Sequence, residues 1–258
     1  MYDASTKSEG KLSLNEALEK GPNLLPMLWG TLLRFRLGRV GVVGDLEKAF
    51  LQIVLREDER NVCCFLWQHL DGTIVIYRLT RVFFGATSSP FLLQVTLKHH
   101  LESEVKERDV AEELLRNLYV DDLVNSVDSD VEAANFWTKA VEIFHEGGFN
   151  LRKFQSNSQQ ANFGQEDKTV HKVLCVSWCI ATDELLPIIG FHPTVKCWSK
   201  REVASVLASI YDPLGLAVSV ITPVKCFLQD LWKLRMSWDA PLDEDHQRQF
   251  SKTWSTRR

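Results

Sequence analysis

The chain has little of what marks the specialised protein classes. Its 258 residues hold only six cysteines, Cys63, Cys64, Cys175, Cys179, Cys197 and Cys226, too scattered for a disulfide-built miniprotein, so free thiols in a reducing compartment are expected. Cys175 and Cys179 are spaced like metal ligands, but no second close Cys or His pair completes a zinc set. No basic-then-apolar leader opens the sequence, since Met1-Tyr2-Asp3-Ala4-Ser5 is polar, which argues against a secretory signal. The longest apolar tract, Val203 to Ile221, is broken by Asp212-Pro213, so no membrane span is expected. Repeats and low-complexity tracts are absent. Basic excess is absent too: 30 Lys and Arg face 34 Asp and Glu, for a formal net charge of −4. That excludes a uniformly basic nucleic-acid binder and leaves room for a local basic groove.

What remains is an ordinary globular composition, 45% hydrophobic and 25% charged, with length for one large domain or two small ones. Ser13 and Glu16 form a capping-box pattern ended by Gly21-Pro22, and a second helical stretch runs from about 24 to 37. Val40 to Val43 reads as a buried strand with Asp45 just past its end. Cys63–Leu70 and Thr73–Leu79 flank Asp71-Gly72, a strong hairpin signal. Ser89 suits an N-cap and Pro90 the first helical position, with Leu93, Leu97, Leu101 and Val105 as an apolar stripe, and the acid-rich stretch Glu102 to Glu113 reads as helix. Two short strands enclose Asp121-Asp122. Ser129 and Glu132 form another capping-box pattern, opening a helix that stops at Gly147-Gly148, and Phe149 to Phe154 returns as a strand. This order predicts an α+β fold, a sheet with helices on one face. Beyond about residue 180 the chain reads as helical, with Ser199 and Glu202 capping one helix and Thr222-Pro223 opening another. A domain boundary is placed near 180–198.

Three acids stand out. An Asp-Asp pair is an odd choice for a tight turn, and adjacent like charges repel unless something neutralises them. A divalent cation does so, and Mg²⁺ suits a few carboxylates plus substrate phosphates. Adjacent strand residues point to opposite faces, so Asp121 and Asp122 are equivalent ligands only if the bend reorients them.

Tyr119-Val120-Asp121-Asp122 resembles the active-site tetrapeptide of reverse transcriptases, and its companions stand in that family's order. Gly44-Asp45-Leu46-Glu47-Lys48-Ala49-Phe50 is similar to the first catalytic motif, and Phe84-Gly85-Ala86-Thr87-Ser88-Ser89-Pro90 with Gln94 to the motif opening the template- and nucleotide-contacting helix. Gly148-Phe149-Asn150-Leu151-Arg152-Lys153 resembles the lysine-bearing motif, and Lys172 to Trp178 the primer-grip hairpin. Asp3-Ala4-Ser5, Leu33-Arg34-Phe35-Arg36-Leu37 and Ile210-Tyr211-Asp212-Pro213-Leu214-Gly215-Leu216 are similar to signatures of the Pao (Bel/Pao) group of LTR retrotransposons.

The resemblance implies a right-hand polymerase: palm, a ferredoxin-like antiparallel sheet, at 40–55 and 85–180; partial fingers at 1–39 and 56–84; a helical thumb or connection at 181–258. It implies an RNA-directed DNA polymerase adding dNTPs to a primer on an RNA or DNA template, with two Mg²⁺ ions, Mn²⁺ as substitute, on Asp45, Asp121 and Asp122. Lys153 is implied as proton donor to pyrophosphate, Phe50 as the ring excluding a 2′-hydroxyl, and Phe84, Gly85 and Gln94 as nucleotide contacts. Leu174, Cys175 and Val176 would form the primer grip, while Arg34, Arg36, Arg78 and Arg81 are candidate phosphate contacts. Two positions depart from the pattern: Phe83 stands where proline is usual, and Cys175 where glycine is. Upstream finger strands and the protease, RNase H and integrase segments are expected to be absent, which reads as a fragment of a longer polyprotein with those segments as partners. Its expected place is the cytoplasm, within virus-like particles, with the nucleus as the alternative. The competing expectation is an inactive remnant kept as a nucleic-acid-binding or structural module. A metal-dependent nuclease would need further acids or a His at the same place.

Overall fold

A computed structural model describes residues 3–158, 170–186, 188–189 and 197–255 of the chain, which divides into two units, Met1–Glu166 and Asp167–Arg258. In the first unit, alternating residues set the faces of the central strand β1 (Val40–Leu46): Val40, Val42 and Leu46 enter the main core, and Asp45 belongs to the opposite face. Four antiparallel strands stand in the order β4 (Leu118–Tyr119), β5 (Asp122–Val127), β1 and β6 (Leu151–Ser156). Helices α4 (Ser89–Ser103), α5 (Arg108–Asn117) and α6 (Asp130–Glu146) supply the core's other wall through Leu93, Leu97, Leu101, Leu114, Phe136 and Phe144. The connectivity of these four strands, with α4 and α5 leading into β4 and α6 between β5 and β6, is the β-α-β-β-α-β arrangement.

The earlier elements form as their local signals require. In α1 (Leu14–Ala17), both halves of the Ser13/Glu16 capping box are made. The next helix, α2 (Leu28–Arg34), is shorter than the expected 24–37. Pro26 explains the late start, since a proline pushes its predecessor to extended backbone. A four-residue helix, α3 (Ala49–Gln52), follows β1. The hairpin pairs β2 (Cys64–Gln68) with β3 (Ile74–Arg78), and Leu66, Trp67, Ile74 and Ile76 stay exposed on it.

Four expectations for this unit need correction. Asp45 lies inside β1, not beyond it. The N-cap of α4 is Ser88; Ser89 is already helical and its hydroxyl donates to the Phe83 carbonyl at 2.6 Å. The acid-rich stretch from Glu102 to Glu113 is not one helix but breaks between α4 and α5, where Glu102 and Glu104 oppose the carbonyl end of α4. Arg108 crosses the break to donate to the Glu102 carbonyl at 2.6 Å. The fourth concerns Glu132: Ser129 caps its N–H, yet its carboxylate accepts from Asp128 N rather than closing a box on Ser129.

In the second unit, β7 (Val170–Val173), β8 (Val176–Cys179) and β9 (Glu184–Leu186) form an antiparallel sheet, so strand continues into a region expected to turn helical. Trp178 is fully buried there, its indole N–H donating to Asp183 at 2.9 Å. Strand β10 (Ile188–Ile189) pairs with β11 (Ile210–Tyr211). Helices α7 (Lys200–Ala208), α8 (Val218–Lys233) and α9 (Glu244–Ser255) share a core of Val203, Val206, Val224, Phe227, Leu231 and Phe250. Pro223 does not open a helix; it sits inside α8, which starts earlier because Asp212 accepts Leu216 N at 2.8 Å and Ala217 N at 2.7 Å and so anchors the approach. A proline this near the first turn removes only one ladder bond. The six cysteines are unbridged, and no described helix is long and apolar enough to cross a membrane.

Candidate active site

Two strand pairings place three acidic residues at one end of the four-stranded sheet. Asp45 is the register partner of Asp122 across β1 and β5. Tyr119 pairs with Asp122, so Val120 and Asp121 are the two loop residues of a tight hairpin, and Leu46 N donates to the Asp121 carbonyl at 2.8 Å. The bend thereby reorients Asp121 relative to Asp122. Val120 takes φ +57°, a conformation that a β-branched residue adopts at a cost of about 1–2 kcal/mol. Buried Gln94, on α4, holds the strained loop by donating to the Val120 carbonyl at 3.1 Å.

Lys153 reaches the acids through a fault in the ladder. Val43 pairs with Gln155, but Asp45 pairs with Arg152, leaving one extra residue on β6. Lys153 sits in this bulge at φ +58° with its Nζ 2.8 Å from Asp45 Oδ2. Bulges re-aim side chains, and the left-handed position is ordinarily glycine's. Beside Asp45, Gly44 is fixed by packing: a Cβ there would stand 2.5 Å from the Trp137 ring.

The electrostatics follow from crowding. Burial, then the charges of Asp121 and Asp45, push the Asp122 carboxyl up to about 6, with Lys153 acting in the opposite direction. Asp121 is raised as well, chiefly by burial, with Asp45 adding to it. Three half-buried carboxylates, of which Asp121 and Asp122 are held back from ionising by burial and by neighbouring charge, are the oxygen-donor chemistry a hard divalent cation neutralises. Among the described residues no three His, Cys, Asp or Glu side chains are grouped closely enough to hold a metal ion together. The donor set fits the ion; the arrangement is open.

The remaining expected residues fall in separate places. Phe50 is 6% exposed and belongs to the main core, its ring edge-on to exposed Phe84 with centroids 4.8 Å apart. Gly85 has φ +97°, so backbone conformation alone accounts for glycine there. Asn15 pins this loop, donating to the Gly85 carbonyl at 2.9 Å and accepting from Thr87 N at 2.8 Å. Sequence reasoning missed Asn15, whose partners are some seventy residues away. It also missed Glu47, which pairs with Arg152 at 2.9 Å. Arg34 is not a free phosphate contact: it donates to the Arg116 carbonyl at 2.6 Å and to Thr31 and Asn117. Arg78 donates to Asn61 and Arg81 to the Gln52 carbonyl, both exposed, and Arg36 lies over the Phe35 ring at 5.9 Å. Phe83 fills a small cluster with Ala4, Cys63 and Ala86, which gives its departure from proline a packing reason.

In the second unit, Leu174 and Cys175 are the two loop residues between β7 and β8, since Val173 pairs with Val176. Both have positive φ, +48° and +67°. Leu174 and Val176 are buried, while Cys175 is exposed.

Residues 199–257 match a family model described as Pao retrotransposon-like RNaseH-like domain. That corrects the expectation that nothing related to an RNase H segment is present, although the described part of this stretch is α7, β11, α8 and α9. No curated protein matches the chain. Among solved structures, the foamy viral protease-reverse transcriptase in complex with RNA/DNA hybrid is 16% identical over 89% of this chain and 28% of its own, with a TM-score of 0.54. The foamy viral protease-reverse transcriptase dRH in complex with ds DNA is 16% identical over 88% of this chain and 37% of its own, at 0.55. The chain spans 28% and 37% of the length of those two proteins. The chain is thus a mixed α/β fold with antiparallel sheets, similar in fold to part of the foamy viral protease-reverse transcriptase, and its stretch 199–257 is similar to the Pao retrotransposon-like family.

Proposed function

We propose that the chain is the palm-centred part of an RNA-directed DNA polymerase, transferring deoxynucleotides to a primer 3′-hydroxyl. The observation that carries this is the placement of Asp45, Asp121 and Asp122 at one sheet end, by register and by the Leu46–Asp121 backbone hydrogen bond. Asp45 and Asp121 would hold two divalent ions, Mg²⁺ or Mn²⁺, with Asp122 beside them, and the bound ions would supply in-line phosphoryl displacement. Lys153, aimed at this end by its bulge, would donate a proton to the leaving pyrophosphate. Phe50, with Phe84 against it, would close the space under the sugar where a 2′-hydroxyl would lie. Gln94 would act through the loop it holds, and the loop at Gly85 would present its backbone to the nucleotide. In this reading 1–39 and 56–84 are partial fingers, 40–55 and 85–180 the palm, and 181–258 a thumb or connection, with Leu174, Cys175 and Val176 at the primer end. Template, primer and the other polyprotein segments are the proposed partners.

The test is Mg²⁺-dependent primer extension on an RNA template, by the chain and by a version extended N-terminally with finger strands. Extension abolished by Asp121→Asn supports the reading. Extension that survives Asp121→Asn, or none from either protein, overturns it in favour of a non-catalytic nucleic-acid-binding module. Phe50→Val should raise ribonucleotide incorporation while costing about 2 kcal/mol of core packing; unchanged sugar selectivity would remove the gate role.

A further inference from the structure

Two cations stand side by side on β6, Arg152 and Lys153, facing two carboxylates, Asp45 on β1 and Glu47 just beyond it. Register alone would join Arg152 to Asp45, for these are Cα partners. The side chains pair otherwise: Arg152 Nη1 lies 2.9 Å from Glu47 Oε1, and Lys153 takes Asp45 at 2.8 Å. Glu47 is fixed at both oxygens, because its Oε2 accepts from Asn150 Nδ2 at 2.8 Å. Its backbone N–H also donates to the Asn150 carbonyl at 2.8 Å. The difference matters chemically. A guanidinium is planar, permanently charged and able to bind a carboxylate through two parallel N–H groups, whereas a lysine ammonium is a compact point charge on a flexible stem.

We infer that Glu47 is a positioning residue that sorts these cations, holding Arg152 off Asp45 so that only the exchangeable ammonium of Lys153 occupies that carboxylate. Its importance for catalysis rests on the polymerase reading, in which Asp45 must yield to a divalent ion; the sorting itself does not.

The experiment is amine acylation of the metal-free full chain, with each lysine quantified by mass spectrometry and Lys48 and Lys172 as internal references. An ion-paired ammonium reacts slowly, so Asp45→Asn should raise Lys153 labelling several-fold and define the released level. Glu47→Gln, which does not touch Lys153, should raise it towards that level as Arg152 moves onto Asp45. Arg152→Gln alone should leave Lys153 as protected as in the natural chain, and the Glu47→Gln/Arg152→Gln double variant should restore protection. Labelling unchanged by Glu47→Gln overturns the inference. So does a rise with Arg152→Gln equal to that with Glu47→Gln, since the pair would then merely brace the strand. If Glu47→Gln raises every lysine together, the chain has unfolded and Glu47→Asp, which withdraws the carboxylate from Arg152, takes its place with the same two criteria. A Mn²⁺ titration of the natural chain and Asp45→Asn reads the polymerase proposal separately: no Asp45-dependent binding defeats that proposal and leaves the acylation result standing.

Discussion

Two hairpin loops in this chain have the same length and different purposes. Val120-Asp121 closes β4 and β5, and Leu174-Cys175 closes β7 and β8. Each is a two-residue loop that forces a non-glycine residue to positive φ, where Asn-Gly would be easier. The first is held from outside by Gln94 and Leu46 and surrounds itself with ionisable groups. The second buries Leu174, whose carbonyl accepts from the Tyr211 hydroxyl at 3.2 Å, and carries no charge. Strain in the first fixes where carboxylates stand; strain in the second fixes an uncharged turn. The first should therefore respond to charge and the second to backbone relief.

Activity gives the largest contrast. Asp121→Asn should lower the primer-extension rate on the order of 10³-fold, the scale on which removing one preorganised electrostatic group acts. Cys175→Gly should leave the chemical step within a small factor, as single-turnover kinetics would show. A loss with Cys175→Gly matching that of Asp121→Asn would erase the distinction.

Next comes pH. The folded Asp122 carboxyl is raised to about 6 from an ordinary 3.8, so the native state binds more protons than the unfolded one between those values. Stability contributed by its protonated form is present below about pH 4 and is lost as pH rises through about 6. Asp122→Asn removes the charge, so without divalent metal it should stabilise the chain at pH 7.5 by about 1–2 kcal/mol, after discounting for its partial exposure. The advantage should vanish below pH 4. Urea midpoints at both pH values decide; a variant less stable than the natural chain at pH 7.5 contradicts the crowding.

In the second loop, Cys175→Gly should stabilise by about 1 kcal/mol, because glycine adopts φ +67° without the Cβ clash. A lower thermal midpoint would show that the exposed thiol contributes something the turn needs. Smallest is Tyr211→Phe, which removes the donor to Leu174 and should cost about 0.5–1 kcal/mol, measured by the same denaturation.

Elements whose signals are local were readable in advance. Ser13 with Glu16 and Ser199 with Glu202 cap helices as their spacing requires, and Asp71-Gly72 turns the β2–β3 hairpin. Errors arose where a distant partner outweighed the local signal. Pro223 lies within a helix because Asp212 anchors the preceding turn, and Ser89 gives its hydroxyl to Phe83 and not to a cap. Arg34 looked like a surface cation and is held by α5.

The sequence by itself singled out Asp45, Asp121 and Asp122, through an Asp-Asp pair unusual in a tight turn and through motifs that resemble those of reverse transcriptases. Only the tertiary structure decided how they are served. The bulge that carries Lys153 to Asp45, the pairing of Arg152 with Glu47, and the hold of Gln94 on Val120 depend on strand register and packing between segments far apart in the chain. Register is set by whole faces seeking the core, and no local pattern of residues records it.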